Sequence, residues 1–139
     1  MNPPATRNVP TPTAETAEFW AATRRHELLL QRCACCGHHQ FYPRVLCTAC
    51  AATDLCWVQA KGQGTVRSFT VVHRAVSAAY AAQCPFVLAL IALDEGPTMM
   101  STLTDCRPDE IAIGLRVNVM FDDWPEGVTL PVFSPVEHT

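Results

Sequence analysis

The stretch "CACCGHHQFYPRVLCTAC", residues 33–50, holds five of the chain's eight cysteines and two adjacent histidines. Cys33-x-x-Cys36 and Cys47-x-x-Cys50 form two pairs separated by ten residues. Two intervening residues let both sulfurs of a pair reach one metal from a tight turn, and two such turns face to face close a tetrahedron. Gly37, directly after Cys36, supplies the permissive backbone such a turn needs. The spacing predicts a zinc site ligated by Cys33, Cys36, Cys47 and Cys50, with Cys35 spare. The other frame, Cys35-x-x-His38, abandons the cysteine that precedes glycine and is the weaker. Four protein ligands leave no open position, so the predicted zinc is structural. Iron in a rubredoxin-like cage is the competitor; Ala51 after Cys50, where rubredoxins carry glycine, favours zinc. A ribbon this short buries too little to fold alone, and metal–thiolate bonds replace the missing core.

Over the whole sequence the composition is that of a folded chain: 49% of 139 residues are apolar. The net charge is −3, and nine arginines accompany a single lysine, Lys61. That balance argues against a nucleic-acid partner, whose phosphates call for a basic field. No apolar run reaches membrane-spanning length. "MNPPATRNVPTPT" lacks the apolar core of a signal peptide. The expected location is cytoplasmic, where clustered cysteines act as ligands rather than disulfides.

Composition and pattern divide the chain. Residues 1–13, with four prolines, read as a disordered tail. Residues 14–26 read as a helix capped by Thr13, with Phe19 and Trp20 on its apolar face and Arg24 and Arg25 at its negative end. Residues 27–58 form the ribbon, and 59–139 the second domain. There, "VRSFTVV" alternates, which puts Val66, Ser68, Thr70 and Val72 on one face and Arg67, Phe69, Val71 and His73 on the other. "PFVLALIAL" reads as a strand buried on both faces, and "DEGP" as the hairpin turn into "TMMSTL". A short helix in "RPDEIAIG" precedes "LRVNVMFDDW" and "GVTLPVFSP", the latter placed at an edge by Pro131. Five strands with a helix after the third is the order of an OB-fold barrel. The fold class is therefore mainly β: N-terminal helix, rubredoxin-like zinc ribbon, five-stranded OB-fold.

The ordered set "FW", "LLLQRCACCG", "FYPRVLCTAC", "GQGTVRSFTVV", "PFVLALIALDEGP" and "IGLRVNVMF" resembles the rubredoxin-like zinc ribbon plus OB-fold family of acyl-CoA-associated proteins. The resemblance covers about Thr16 to Phe121. It implies a small accessory subunit beside a thiolase-like protein: an acyltransferase, thiolase or aldolase assembly in which the partner carries the reacting cysteine and histidines. The small subunit would complete the acyl-CoA or acceptor site and hold the complex together. The length suits a free-standing subunit. Thr48, where proline is frequent, and Cys35 depart from the family's pattern without touching the four ligands.

Arg24, Arg25, Lys61, Arg67 and Arg74 are the candidate contacts for coenzyme A phosphates, since arginine suits fixed contacts to phosphate. The "KGQG" turn offers a cation and free amides. Phe19, Trp20, Phe41 and Tyr42 are candidate interface anchors, because aromatics dominate interface hot spots; packing of the helix on the ribbon is their plainer role. No catalytic constellation is legible. His73 has no visible partner, Asp94–Glu95 and Asp122–Asp123 read as turn and strand-end carboxylates, and Cys56, Cys84 and Cys106 read as small buried hydrophobes. A stand-alone acyl-CoA carrier is the alternative, with a nucleic-acid-binding OB module behind it.

Overall fold

A computed structural model describes residues 9–75 and 78–136. The tail expectation therefore lies, up to residue 8, outside the described residues. Helix α1 spans Ala17–Arg24, shorter than the 14–26 expected. Thr13 does not cap it. Residues 14–16 form a turn, and the Thr13 N–H donates to Thr16 Oγ1 at 2.9 Å, so the threonine side chains close that turn instead. At the other end the Glu27 N–H reaches back to the Ala22 carbonyl across His26, which takes a left-handed φ of 61°. Glycine usually fills that closing position. What His26 does there becomes clear below.

The ribbon is a small antiparallel sheet of β1 (Leu29–Cys33), β2 (His39–Gln40) and β3 (Leu55–Gln59), ordered β2-β1-β3. The rest closes into a barrel of β4 (Gln63–Val72), β5 (Phe86–Leu93), β6 (Thr98–Leu103), β7 (Arg116–Asp123) and β8 (Thr129–Pro135), in the order β4-β5-β6-β8-β7. The short helix after the third barrel strand is a 3₁₀ turn, Pro108–Glu110, and the Ala-rich connection contains another, Ala78–Gln83. This is the expected OB-fold. Its core is Val66, Val87, Ile91, Leu93, Met99, Val117 and Phe133, with Phe19 and Leu30 joining from the helix and ribbon.

Three details depart from the expected pattern. Strict alternation in β4 fails at a bulge between Val66 and Ser68. The extra residue, Arg67, resets the phase, so Phe69 and Val71 follow Val66 into the core while Ser68 and Thr70 are exposed. Second, β5 is buried on one face only: Val87, Ala89, Ile91 and Leu93 are inside, whereas Leu90 remains 39% exposed. Third, β8 is not an edge in strand order. Pro131 is tolerated because β8 pairs with β7 along its length but meets β6 only at Leu103–Phe133.

The "KGQG" segment is barrel closure rather than a free turn. The Val119 N–H donates to the Gly62 carbonyl at 2.7 Å, and Gly64 is buried between β5 and β7. A Cβ on Gly64 would come within 2.7 Å of Ile91 Cγ2 and 2.8 Å of the Ala92 carbonyl, so only glycine lets the strands close here.

Candidate metal centre

The two Cys-x-x-Cys turns face one another. The first follows β1 directly, and the Gly37 N–H donates to the Cys33 carbonyl at 2.9 Å, with Gly37 at a φ of 77°. The second is closed by the Ala51 N–H on the Cys47 carbonyl, also 2.9 Å. The four ligand sulfurs lie within 4.8 Å of one another. Cys33–Cys50 and Cys36–Cys47 are each 3.6 Å apart, Sγ to Sγ. A tetrahedron with Zn–S bonds of about 2.3 Å has edges of about 3.8 Å, so the donor set fits zinc.

The protonation pattern makes the same point. Cys33 is lowered to about 6, first by the Cys36 N–H that it accepts at 3.5 Å. Cys50 is raised to about 12: the Ala52 N–H favours its thiolate, but hydrogen bonds to the Cys33 and Cys36 sulfurs and burial outweigh it. Sulfurs this close cannot all ionise unaided. A divalent cation removes that conflict and crosslinks the two turns. Cys35 is exposed on the first turn, and its thiol is pushed up chiefly by the neighbouring Cys33 charge.

Sequence reasoning missed what aims the second turn. Gln31 and Gln40 are buried side by side, with Gln40 Nε2 donating to Gln31 Oε1 at 2.8 Å. Gln31 brackets Arg44, accepting its N–H and donating to its carbonyl, both at 2.8 Å. Gln40 Oε1 accepts the Thr48 N–H at 2.9 Å and its hydroxyl at 3.1 Å, and Gln40 Nε2 donates to the Leu46 carbonyl at 3.1 Å. These two amides replace a third long strand: they hold residues 44–48 in place and so deliver Cys47. The one available signal was an uncharged polar residue inside "LLLQRC". His38, the histidine of the weaker ligand frame, meets Thr48 Oγ1 at 3.2 Å instead.

The other named residues scatter. Arg24 Nε donates to the Gly127 carbonyl at 2.9 Å, which ties α1 to the β7–β8 turn. Arg25 pairs with Glu27 at 3.3 Å. The Lys61 N–H donates to Glu95 at 2.8 Å, Arg67 reaches Thr98 Oγ1 at 3.3 Å, and Arg74 is exposed in the bend after β4 beside His73. Asp94–Glu95 lie in the expected turn and Asp122–Asp123 at the expected strand end, but with partners, while the reading of the three thiols changes. Asp94 forms a bidentate pair with Arg116 at 2.8 and 2.9 Å. Asp123 accepts from Thr129 at 2.6 Å and pairs with His26 at 3.0 Å, while the His26 ring stacks on Phe121 at 5.1 Å. His26 is thus a latch between helix and barrel, which explains its left-handed backbone. Cys56 is exposed, with Cys84 and Cys106 half-buried, because each sits on a turn or an outward strand position.

The four aromatics converge. Phe19 meets Trp20 at 5.0 Å and Phe41 at 5.4 Å, and Phe41 meets Tyr42 at 4.5 Å. Together with β6 and β8 they wall a groove of about 370 Å³. Phe19 is its buried floor, while Tyr42 stands 46% exposed at its rim.

Residues 20–55 match the ChsH2 rubredoxin-like zinc ribbon domain, and residues 57–122 the ChsH2 C-terminal OB-fold domain. A DUF35 domain-containing scaffold protein of Methanocaldococcus jannaschii is 32% identical over 121 residues, 82% of this chain and 85% of that protein. The chain belongs to the DUF35 family. A DUF35 chain of a solved Ltp2–ChsH2(DUF35) aldolase is 34% identical, with a TM-score of 0.82 covering 91% of this chain and 98% of that one. Longer relatives contain the DUF35 unit as a part. A probable enoyl-CoA hydratase alpha subunit of Thermomonospora curvata is 35% identical over 97% of this chain, which spans 42% of that protein's length. The 3-oxo-4,17-pregnadiene-20-carboxyl-CoA hydratase alpha subunit of Mycobacterium tuberculosis is 35% identical over 84% of this chain, which spans 37% of its length. No helix among the described residues is long and apolar enough to cross a membrane.

Proposed function

We propose that this DUF35 chain is the small zinc-containing subunit of a thiolase-like, acyl-CoA-processing complex, where it helps to form the acyl-CoA or acceptor site and stabilises the assembly. The observation that carries this reading is the likeness to the DUF35 chain of the Ltp2–ChsH2 aldolase, which this chain matches over 98% of its length. The coenzyme A relatives support the substrate class. The four-cysteine cluster leaves a bound zinc no open position, so the metal braces the ribbon and activates no water. The thiol–base pairing that acyl transfer needs is not formed among the described residues. In this reading the chemistry lies on the thiolase-like subunit. Phe19, Trp20, Phe41 and Tyr42 supply the docking groove, and Arg24, Arg25, Lys61, Arg67 and Arg74 remain the proposed phosphate contacts.

The test pairs the purified chain with a thiolase-like protein encoded in the same genome. Each is assayed alone and then mixed, with acyl-CoA turnover and complex mass as readouts. A stable hetero-oligomer with activity only in the mixture is expected. Robust turnover by the DUF35 chain alone, or no complex with that protein, overturns the reading.

A further inference from the structure

The outward face of β4, β5 and β6 is unlike a solvent face. Past the bulge, ten residues point outward from these strands, and none is charged. Two cross-strand rows define its centre: Ser68–Leu90–Met100 and Thr70–Leu88–Thr102. Leu90 is 39% exposed and Met100 54%. An antiparallel strand with one face in water normally alternates apolar-in and polar-out. β5 instead carries leucine at both central outward positions, as a strand does when both of its faces are covered.

This face is continuous with the aromatic groove. Leu88 and Met100 line both, and the Met100 N–H donates to the Tyr42 hydroxyl at 3.4 Å. Charge sits at the margins: Arg67 reaches Thr98 and Arg116 pairs with Asp94 at one end, Arg74 is exposed beyond the other, and Glu15 and Arg44 line the groove. An apolar centre that leads into an aromatic pocket, with ion pairs at its margin, is the anatomy of a protein–protein interface. The missing charge also selects the occupant. Nucleic acid on an OB-fold and the phosphates of coenzyme A both need cations, and the ten outward positions of these strands offer none. Its complement is a protein surface equally poor in charge that inserts an apolar or aromatic side chain beside Trp20 and Tyr42.

We infer that the β4–β5–β6 face, together with the groove beneath Tyr42, is the surface on which the thiolase-like subunit seats; this rests on the proposed function and adds to it which side of the barrel is used. The ribbon's metal turns and the β7 side of the barrel are left outside the contact.

The experiment compares Leu90→Asp/Met100→Glu with Met120→Asp. Met120 is 46% exposed but lies on β7, outside both face and groove. Far-UV circular dichroism and zinc content establish that each variant is folded. Binding to the thiolase-like protein of that test is then measured by titration, and self-association of the chain alone by sedimentation. The double variant should bind at least about tenfold more weakly, because centrally placed apolar contacts dominate interface energies. Met120→Asp should bind like the parent. Equal binding by parent and double variant sinks this inference while the subunit reading stands. No binding by the parent sinks the subunit reading itself. A parent that dimerises, with a double variant that does not, assigns the face to a second copy and overturns the inference.

Discussion

Between Leu29 and Gln59 the buried side chains are Leu30, Gln31, Cys33, Gln40, Pro43 and Cys47; in the barrel they are Val66, Val87, Ala89, Ile91, Leu93, Met99, Leu103, Val117 and Phe133 among others. The ribbon's interior is thus largely amide and thiol, the barrel's aliphatic and aromatic. Apolar burial contributes about 25 cal/mol per Å² and tolerates small shifts, so a barrel can rest on shape and volume. Amides and thiolates stabilise only when each partner is in place. The ribbon therefore depends on geometry and on its metal, and the barrel on packing. The two are joined by Leu28, Leu30 and Phe19 in one core, and by the His26–Asp123 and Arg24–Gly127 contacts at the surface.

The largest effect expected from this contrast is loss of the metal. Structural zinc sites contribute apparent free energies of about 10–16 kcal/mol. Cys36→Ala, or chelation of the parent, should melt the ribbon while the barrel keeps its β-sheet signal. Cys35→Ala should keep both metal and fold, and equal zinc loss in the two variants would show that the ligand register is wrong. Acid should act like chelation, since protons compete for the thiolates.

Phe133→Ala probes the other side. Phe133 is fully buried at the one point where β6 and β8 meet. A large-to-small change there should cost about 3–5 kcal/mol and lower the denaturant midpoint of the barrel. If the ribbon loses zinc in step with the barrel, the two units fold as one and the contrast fails.

Gln31→Ala should be milder. It strands the Arg44 N–H, the Arg44 carbonyl and the Gln40 amide, at a cost of about 1–3 kcal/mol. All four ligands stay, so a competitive chelator titration should show weaker zinc binding without loss of stoichiometry. Unchanged affinity would mean that residues 44–48 are held by something other than the glutamines.

The smallest effect belongs to the latch. Asp123 is held below the usual carboxylate range, first by the Thr129 hydroxyl and then by His26. A depressed folded pKa gives stability that is present above the unfolded value of about 3.9 and lost as pH falls through the folded one. Asp123→Asn should therefore lower the urea midpoint slightly at neutral pH, and the difference should shrink as pH falls below about 3.9. A difference that persists at acid pH would assign the contact's worth to packing on Phe121 instead of charge.

The zinc ligands and the strand order were legible in the sequence because both are short-range properties. A two-residue gap fixes what one turn can reach, and β-branched runs between glycine and proline signals count strands without reference to their neighbours. Tertiary structure decided what depends on distant residues. One bulge at Arg67 reversed which residues of β4 face the core, because alternation counted along a strand cannot see the partner that accepts an extra residue. His26, Gln31 and Gln40 looked ordinary until Asp123, Arg44 and Thr48 were brought to them across the fold. The aromatic groove belongs to the same class: Phe19, Trp20, Phe41 and Tyr42 could be named one by one, but their joining with Leu88 and Met100 into one largely apolar surface exists only once helix, ribbon and barrel have packed.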